Sequence, residues 1–304
     1  MIYANLTLNW KVSMASKTAF FESLLKPYQQ QVVSAIQKNV SSLGPKTKIR
    51  DACEYALMNG GKRLRPILVF MVAKALGHSV DVTPAALSIE YFHTASLVAD
   101  DLPCMDDDDQ RRSKPSVHKK YSEAVALLVS YALISAGYAC LAQNAQILKN
   151  ANLPFSKDSD HLCVLALENA TYNTGLTGAT GGQFLDIFPP SLTLATLREI
   201  IHKKTVSLFE ISFVSGWLFG GGELSALPNV KKAASHFGTA FQIADDLDDM
   251  EQDVANERRV NFACCFGKEE AGRAIREEIL QYKQTMRDLK LTQTELVDLI
   301  DMLV

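Results

Sequence analysis

Alternation of apolar and polar residues, the mark of a half-buried strand, is nearly absent from these 304 residues. Its absence excludes a sheet-based architecture. Basic residues form no long run, and the formal net charge is −3, so nothing points to nucleic acid. No apolar stretch free of polar residues reaches the length of a membrane span, and no transmembrane segment is expected. The six cysteines (Cys53, Cys104, Cys140, Cys163, Cys264 and Cys265) show neither CxxC spacing nor a zinc-like grouping with histidine. Free thiols in a reducing compartment follow. Met1 to Ser13 resemble neither a signal nor a transit peptide, and by elimination the expected location is cytoplasmic. Met14-Ala15-Ser16 would serve as a start, so residues 1–17 are read as a disordered leader before one domain over 18–304. Short-period repeats and low-complexity tracts are also missing.

What is present is helical periodicity. Apolar spacing predicts helices near 18–40, 47–58, 66–76, 84–102, 122–148, 159–182, 193–219, 229–253, 268–288 and 292–303. Asn59-Gly60-Gly61 and Gly77 end two of them, and Thr83-Pro84 starts another. Ala124 to Ala142 is apolar almost all round, which suits the interior of a bundle or a subunit interface. The expectation is an all-α, single-domain bundle of about ten helices around a central apolar cavity, assembled as a homodimer.

Two aspartate clusters carry the chemistry. One reads Asp100-Asp101-Leu102-Pro103-Cys104-Met105-Asp106, followed by Asp107 to Asp109 and Arg111-Arg112. The other reads Phe241-Gln242-Ile243-Ala244-Asp245-Asp246-Leu247-Asp248-Asp249. Asp245 and Asp249 stand four apart on one helix face, where like charges repel. Pro103 cannot continue a helix, and if Pro103 and Cys104 loop out, Asp100 and Asp106 recover the same-face relation. Facing carboxylate pairs without nearby His or Cys suit Mg²⁺ carried with a phosphate. An acidic surface run is the plain alternative.

Anion sites accompany them. Gly60-Gly61-Lys62-Arg63-Leu64-Arg65-Pro66 sets three cations in a turn before a helix, where glycine lets backbone approach a ligand. Arg111-Arg112 and His202-Lys203-Lys204-Thr205 are further candidates. His93 lies seven residues before Asp100, two turns below it on the same face. Gln183 and Asp186 follow Gly175, Gly178, Gly181 and Gly182, a run that suggests a kink or a close approach. Together these residues describe a site for two diphosphates, one held through Mg²⁺ and one held directly, with an apolar cavity between.

From about residue 50 to 285 the chain resembles the trans-polyprenyl diphosphate synthases, on GGKRLRP at 60–66, HTASLVADDLPCMDDDDQRR at 93–112, GGQFLD at 181–186, KT at 204–205 and GTAFQIADDLDD at 238–249. The resemblance implies the isoprenoid synthase fold. It implies Mg²⁺, about three ions, on Asp100, Asp106 and Asp245, supported by Asp101, Asp246 and Asp249. Arg111, Lys204, Thr205 and Gln242 would contact an allylic diphosphate (dimethylallyl, geranyl or farnesyl), with Lys204 and Gln242 also stabilising a carbocation. Lys62, Arg65, His93 and Arg112 would hold isopentenyl diphosphate. Ala95, five before Asp100, is the family's usual product-length position, and the helical wheel favours its neighbour Ser96. Both are small, so a twenty-carbon product, geranylgeranyl diphosphate, is expected. A farnesyl product remains the competitor, with a deeper side chain such as Tyr131 as the stop.

The chain departs from the family in several places: Ala99 stands before Asp100 where histidine is common, and Arg259 stands where the family has a later lysine. Ser130-Tyr131 replaces a usual Gly-Asp. The segment after the second cluster is about ten residues short and lacks its customary lysine, a charge that Arg258 and Arg259 are expected to supply. A non-catalytic partner subunit and a terpene cyclase stay open as alternatives. The first would typically have lost aspartates, and the second would not need Lys62, Arg65 and Arg112.

Overall fold

The computed structural model describes residues 23–255 and 260–303. The leader at 1–17 and the pair Arg258 and Arg259 lie outside the described residues. In chain order the elements are α1 (23–39), α2 (Lys48–Leu57), α3 (Leu64–Ala75) and α4 (Thr83–Asp100), followed by a small hairpin, β1 (Gln110–Arg111) and β2 (Lys114–Pro115). Then come α5 (Val117–Lys120), α6 (Glu123–Lys149), α7 (Ser159–Thr174), α8 (Ala179–Ile187), α9 (Leu194–Ile200) and α10 (Ser207–Phe219). The series closes with α11 (Leu227–Asp248), α12 (Met250–Ala255), α13 (Phe262–Phe266), α14 (Lys268–Asp288) and α15 (Glu295–Ile300).

Starts follow local chemistry. Thr47, Ser122, Thr193 and Asn261 accept N–H groups at the heads of α2, α6, α9 and α13. Boundaries differ from expectation where backbone geometry intervenes. The single helix expected over 159–182 breaks at residues 175–178, because a Cβ at Gly178 would stand 2.0 Å from the Asn173 carbonyl oxygen. The helix expected over 193–219 is unbroken from Leu194 to Phe219, but Ile201–Val206 winds as a π-turn between α9 and α10. The hairpin, with Gln110 opposite Pro115 and Arg111 opposite Lys114, has no sequence signature at two residues per strand.

The core is built around α10, every residue of which is buried from Ser207 to Phe219. Phe209 and Phe213 meet Phe237 of α11, and Phe213 and Phe237 meet Tyr282 of α14, at ring separations of 5.3 to 6.3 Å. On the other side α4 packs along α6. With charges only at Glu123 and Lys149, α6 is long and apolar enough to cross a membrane by length and composition alone, although Ser130, Ser135, Gln143 and Asn144 interrupt it. In the bundle its inward face, including Ala126, Val129, Leu133 and Leu141, is part of the core.

One ionic pair sits inside. Arg63 reaches Glu90 of α4 and the Leu57 carbonyl, and both side chains are almost fully enclosed. Removing one member of such a pair strands the other. Glu90→Ala is expected to cost about 3–5 kcal/mol in urea unfolding. A loss under about 1 kcal/mol would show that water reaches the guanidinium.

Candidate active site

Helix α4 delivers the first aspartates. After Asp100 the chain folds back over Pro103, and the Asp106 N–H donates to the Asp100 carbonyl at 2.9 Å while Met105 N–H donates to Leu102 at 2.9 Å. The loop-out inferred from Pro103 is the conformation found, and Asp106 lies beside the helix end. Burial pushes Asp100 up to about 7, with Lys204 pulling it down and Asp106 pushing it further up. Asp101 turns away. It is 2% exposed, and its Oδ1 accepts from Arg111 Nε at 2.8 Å. Arg111 also reaches Asp108 at 3.1 Å. Arg112 donates to the Gly60 carbonyl and lies against Gly61, where a Cβ would fall 2.3 Å from the guanidinium carbon. Gly61, at φ 106°, therefore makes room for Arg112, and not directly for a ligand.

Helix α11 delivers the second set. Asp245, Asp249 and Asp106 face a cavity of about 790 Å³, together with Asp186, Asp246 and Asp253. Burial raises Asp245, and Lys62, exposed on the 60–66 turn, draws it back down. Asp246 is committed to the protein. Its Oδ1 accepts from Gln242 Nε2 at 2.7 Å and its Oδ2 from the Phe262 N–H at 2.8 Å. Burial leaves it at about 6, with those bonds opposing the rise. Asn261 Nδ2 donates to the Asp246 carbonyl at 2.7 Å and to Asp253 at 2.9 Å, tying the chain after α12 back to α11.

The π-turn brings the cation. A widened turn is often found at functional sites. Here Lys203 pairs outward with Glu199 at 2.7 Å and His202 is exposed. Lys204 points inward to Asp186, and Thr205 Oγ1 donates to Gln242 Oε1 at 2.6 Å. The turn lies so close to α8 that a Cβ at Gly182 would stand 2.3 Å from the Lys204 nitrogen. The glycine run thus serves a kink and a backbone contact. Asp186 and Asp253 are cavity residues that the sequence motifs did not single out as ligands. Asp186 had a signal in its position three after Gln183, whereas Asp253 had none.

Lys204 and Thr205 also wall a second, apolar cavity of about 530 Å³. Asp100 stands at its mouth and Arg65, His93, Ser96 and Phe92 line it from α3 and α4. Arg65 Nη1 lies 3.3 Å from His93 Nε2, and its guanidinium sits 4.5 Å over the Phe209 ring. Burial lowers Arg65 to about 10 and holds His93 well below its usual value, helped by Arg65, so the imidazole is neutral. Ser96 faces the cavity, but Ala95 is fully buried behind it, its carbonyl accepting from Ser130 Oγ at 3.1 Å. Phe92, one turn deeper, is packed onto Gly137 and tilted 60° against Tyr138 at 4.8 Å. Tyr131 is 58% exposed and takes no part in this floor.

The donor set fits magnesium. Among the described residues the 790 Å³ cavity is lined by six aspartates and one cation, Lys204, an oxygen-rich donor set of the kind magnesium takes. Of the six sequence-selected aspartates, Asp106, Asp245, Asp246 and Asp249 face the acidic cavity and Asp100 the apolar one, whereas Asp101 lines a separate small pocket with Arg111 and Arg112.

Comparison with known proteins agrees with this geometry. The polyprenyl synthetase family model matches residues 46–260. The chain is 34% identical to the large subunit 2 of a heterodimeric geranylgeranyl pyrophosphate synthase of Arabidopsis thaliana over 78% of this chain, and spans only 61% of that protein's length. It is 34% identical to a farnesyl diphosphate synthase of Geobacillus stearothermophilus, over 76% of this chain and 75% of that one. The solved geranyltransferase of Legionella pneumophila superposes with a TM-score of 0.80 at 28% identity, covering 94% of this chain and 97% of that chain. An acidic cavity joined to an apolar one, in an all-α bundle with these relatives, means that the chain belongs to the polyprenyl synthetase family of prenyltransferases.

Proposed function

We propose that the chain is a Mg²⁺-dependent prenyltransferase that condenses isopentenyl diphosphate with dimethylallyl, geranyl or farnesyl diphosphate and makes geranylgeranyl diphosphate. The observation that carries this reading is the meeting of the acidic and apolar cavities at Lys204 and Thr205. A diphosphate belongs in the first and a hydrocarbon chain in the second. Asp100, Asp106, Asp245 and Asp249 would hold the magnesium, about three ions, with Asp186 added to the set. Asp246 supports it through Gln242, and Asp101 through Arg111.

Magnesium, when bound, neutralises the diphosphate and eases its departure. The chain's own groups do the rest. Lys204 meets the allylic diphosphate, and Arg111, held by Asp101 and Asp108, acts on Asp100 from outside the two cavities. Arg65 and neutral His93 face the second diphosphate, with Lys62 and Arg112 on the same side. The allylic C–O bond breaks and its electron pair leaves with diphosphate. The double bond of isopentenyl diphosphate then attacks the carbocation, forming the new C–C bond. Apolar walls exclude water, and Lys204 and Gln242 would stabilise the cation through backbone or side-chain oxygens. A proton is lost to the released diphosphate.

Phe92 supports a second reading, a farnesyl product, because it fills the floor one turn below Ser96. The chain is also read as a homodimer, since α6 exposes Leu127, Leu128 and Tyr131 along one side. Chelation is the direct test of the metal. EDTA is expected to abolish consumption of isopentenyl diphosphate and Mg²⁺ to restore it, whereas turnover persisting in EDTA would overturn the proposal.

A further inference from the structure

A trio of side chains outside both cavities has no part in the chemistry above. A carboxylate oxygen from each of Asp107 and Asp109 and a ring nitrogen of His118 lie within 4.8 Å of one another. The hairpin creates this proximity, because the Ser116 N–H donates to the Asp109 carbonyl at 3.0 Å and brings the head of α5 beside the aspartate loop. Two exposed aspartates alone would be a solvated patch. The histidine sets this group apart. It is 7% exposed, and its Nε2 is buried without a hydrogen-bond partner among the described residues.

The other nitrogen fixes the tautomer. His118 Nδ1 lies 3.1 Å from Ser116 Oγ, and that hydroxyl already donates to the Asp109 carbonyl at 3.3 Å. The hydroxyl proton is committed, so Nδ1 is assigned the ring proton and Nε2 keeps its lone pair. A metal-bound histidine normally has such a partner on its second nitrogen.

We propose that Asp107, Asp109 and His118 form a site for a borderline transition-metal cation, with Zn²⁺ as the test ion, distinct from the magnesium site. Imidazole suits zinc and its neighbours, whereas magnesium takes oxygen alone. Three protein ligands and one water complete a four-coordinate zinc. Ligands about 2.1 Å from a tetrahedral ion stand about 3.4 Å apart, so the aspartates close in by roughly an ångström. Both are exposed. Lys119 Nζ, 2.7 Å from Asp109 Oδ1, marks where positive charge is already attracted, and such an exposed pair is easily displaced. A bound cation would clip the loop that follows Asp106 to the start of α5.

The test is calorimetric titration of chelator-stripped protein with Zn²⁺ in saturating Mg²⁺. One zinc is expected to bind, and Asp109→Asn, Asp107→Asn and His118→Gln are each expected to weaken it at least about tenfold. The aspartate variants change exposed side chains and keep the test valid if His118→Gln does not fold. Mg²⁺-dependent turnover should persist in Asp109→Asn. Zinc binding that excess Mg²⁺ abolishes, or that is unchanged in both aspartate variants, would overturn the site.

Discussion

Asp100→Ala and Asp245→Ala are each expected to lower kcat/KM on the order of 10³-fold or more, with the fold intact. The two carboxylates come from different helices, α4 and α11; Asp245 faces the acidic cavity and Asp100 lines the apolar cavity that joins it. Neither anchors the structure. Burial raises both carboxyls, outweighing the pull of Lys204 on Asp100 and of Lys62 on Asp245, so removing either relieves a desolvation cost. Thermal midpoints should therefore not fall. Asp246→Ala and Asp101→Ala should behave differently, because they strand the Phe262 N–H and the Arg111 guanidinium and lose about 1–3 kcal/mol. Steady-state kinetics beside thermal melts separates the two classes. Full activity in Asp100→Ala or Asp245→Ala would remove the metal assignment.

Product length should respond to the floor of the apolar cavity. Ser96→Phe is expected to shorten the product by an isoprene unit, because Ser96 faces the cavity about 6 Å along α4 from Asp100. Phe92→Ala, a further turn down, is expected to lengthen it, while losing about 3–5 kcal/mol of stability through the void beside Tyr138. Ala95→Tyr should instead damage the fold. Ala95 is fully buried behind the wall, where a larger side chain meets α6 and costs about 1–3 kcal/mol or more. Sizing the alcohols after phosphatase treatment reads all three. An unchanged product in both Ser96→Phe and Phe92→Ala would place the floor elsewhere.

Much of the site was legible because helix periodicity and one proline determine it. Asp245 and Asp249 share a face by spacing alone, and Pro103 announced the fold-back that sets Asp106 beside Asp100. What the sequence hid depends on tertiary geometry. The π-turn at Ile201–Val206 has no spacing signature, yet it turns Lys204 inward and Lys203 outward. Adjacent aspartates read alike, but Asp101 and Asp246 spend their oxygens on Arg111 and on Gln242 with Phe262. Gly61 looked like ligand space and instead receives Arg112. Ala95 and Ser96 differ by one position, about 100° of helix, and that rotation decides which faces the tail.

The most direct measurement incubates the purified protein with Mg²⁺, isopentenyl diphosphate and farnesyl diphosphate, then sizes the dephosphorylated products. A twenty-carbon alcohol that forms only when both substrates are present is the expected result. No elongation from farnesyl, geranyl or dimethylallyl diphosphate, or a hydrocarbon released without isopentenyl diphosphate, would contradict the two-diphosphate reading of the joined cavities.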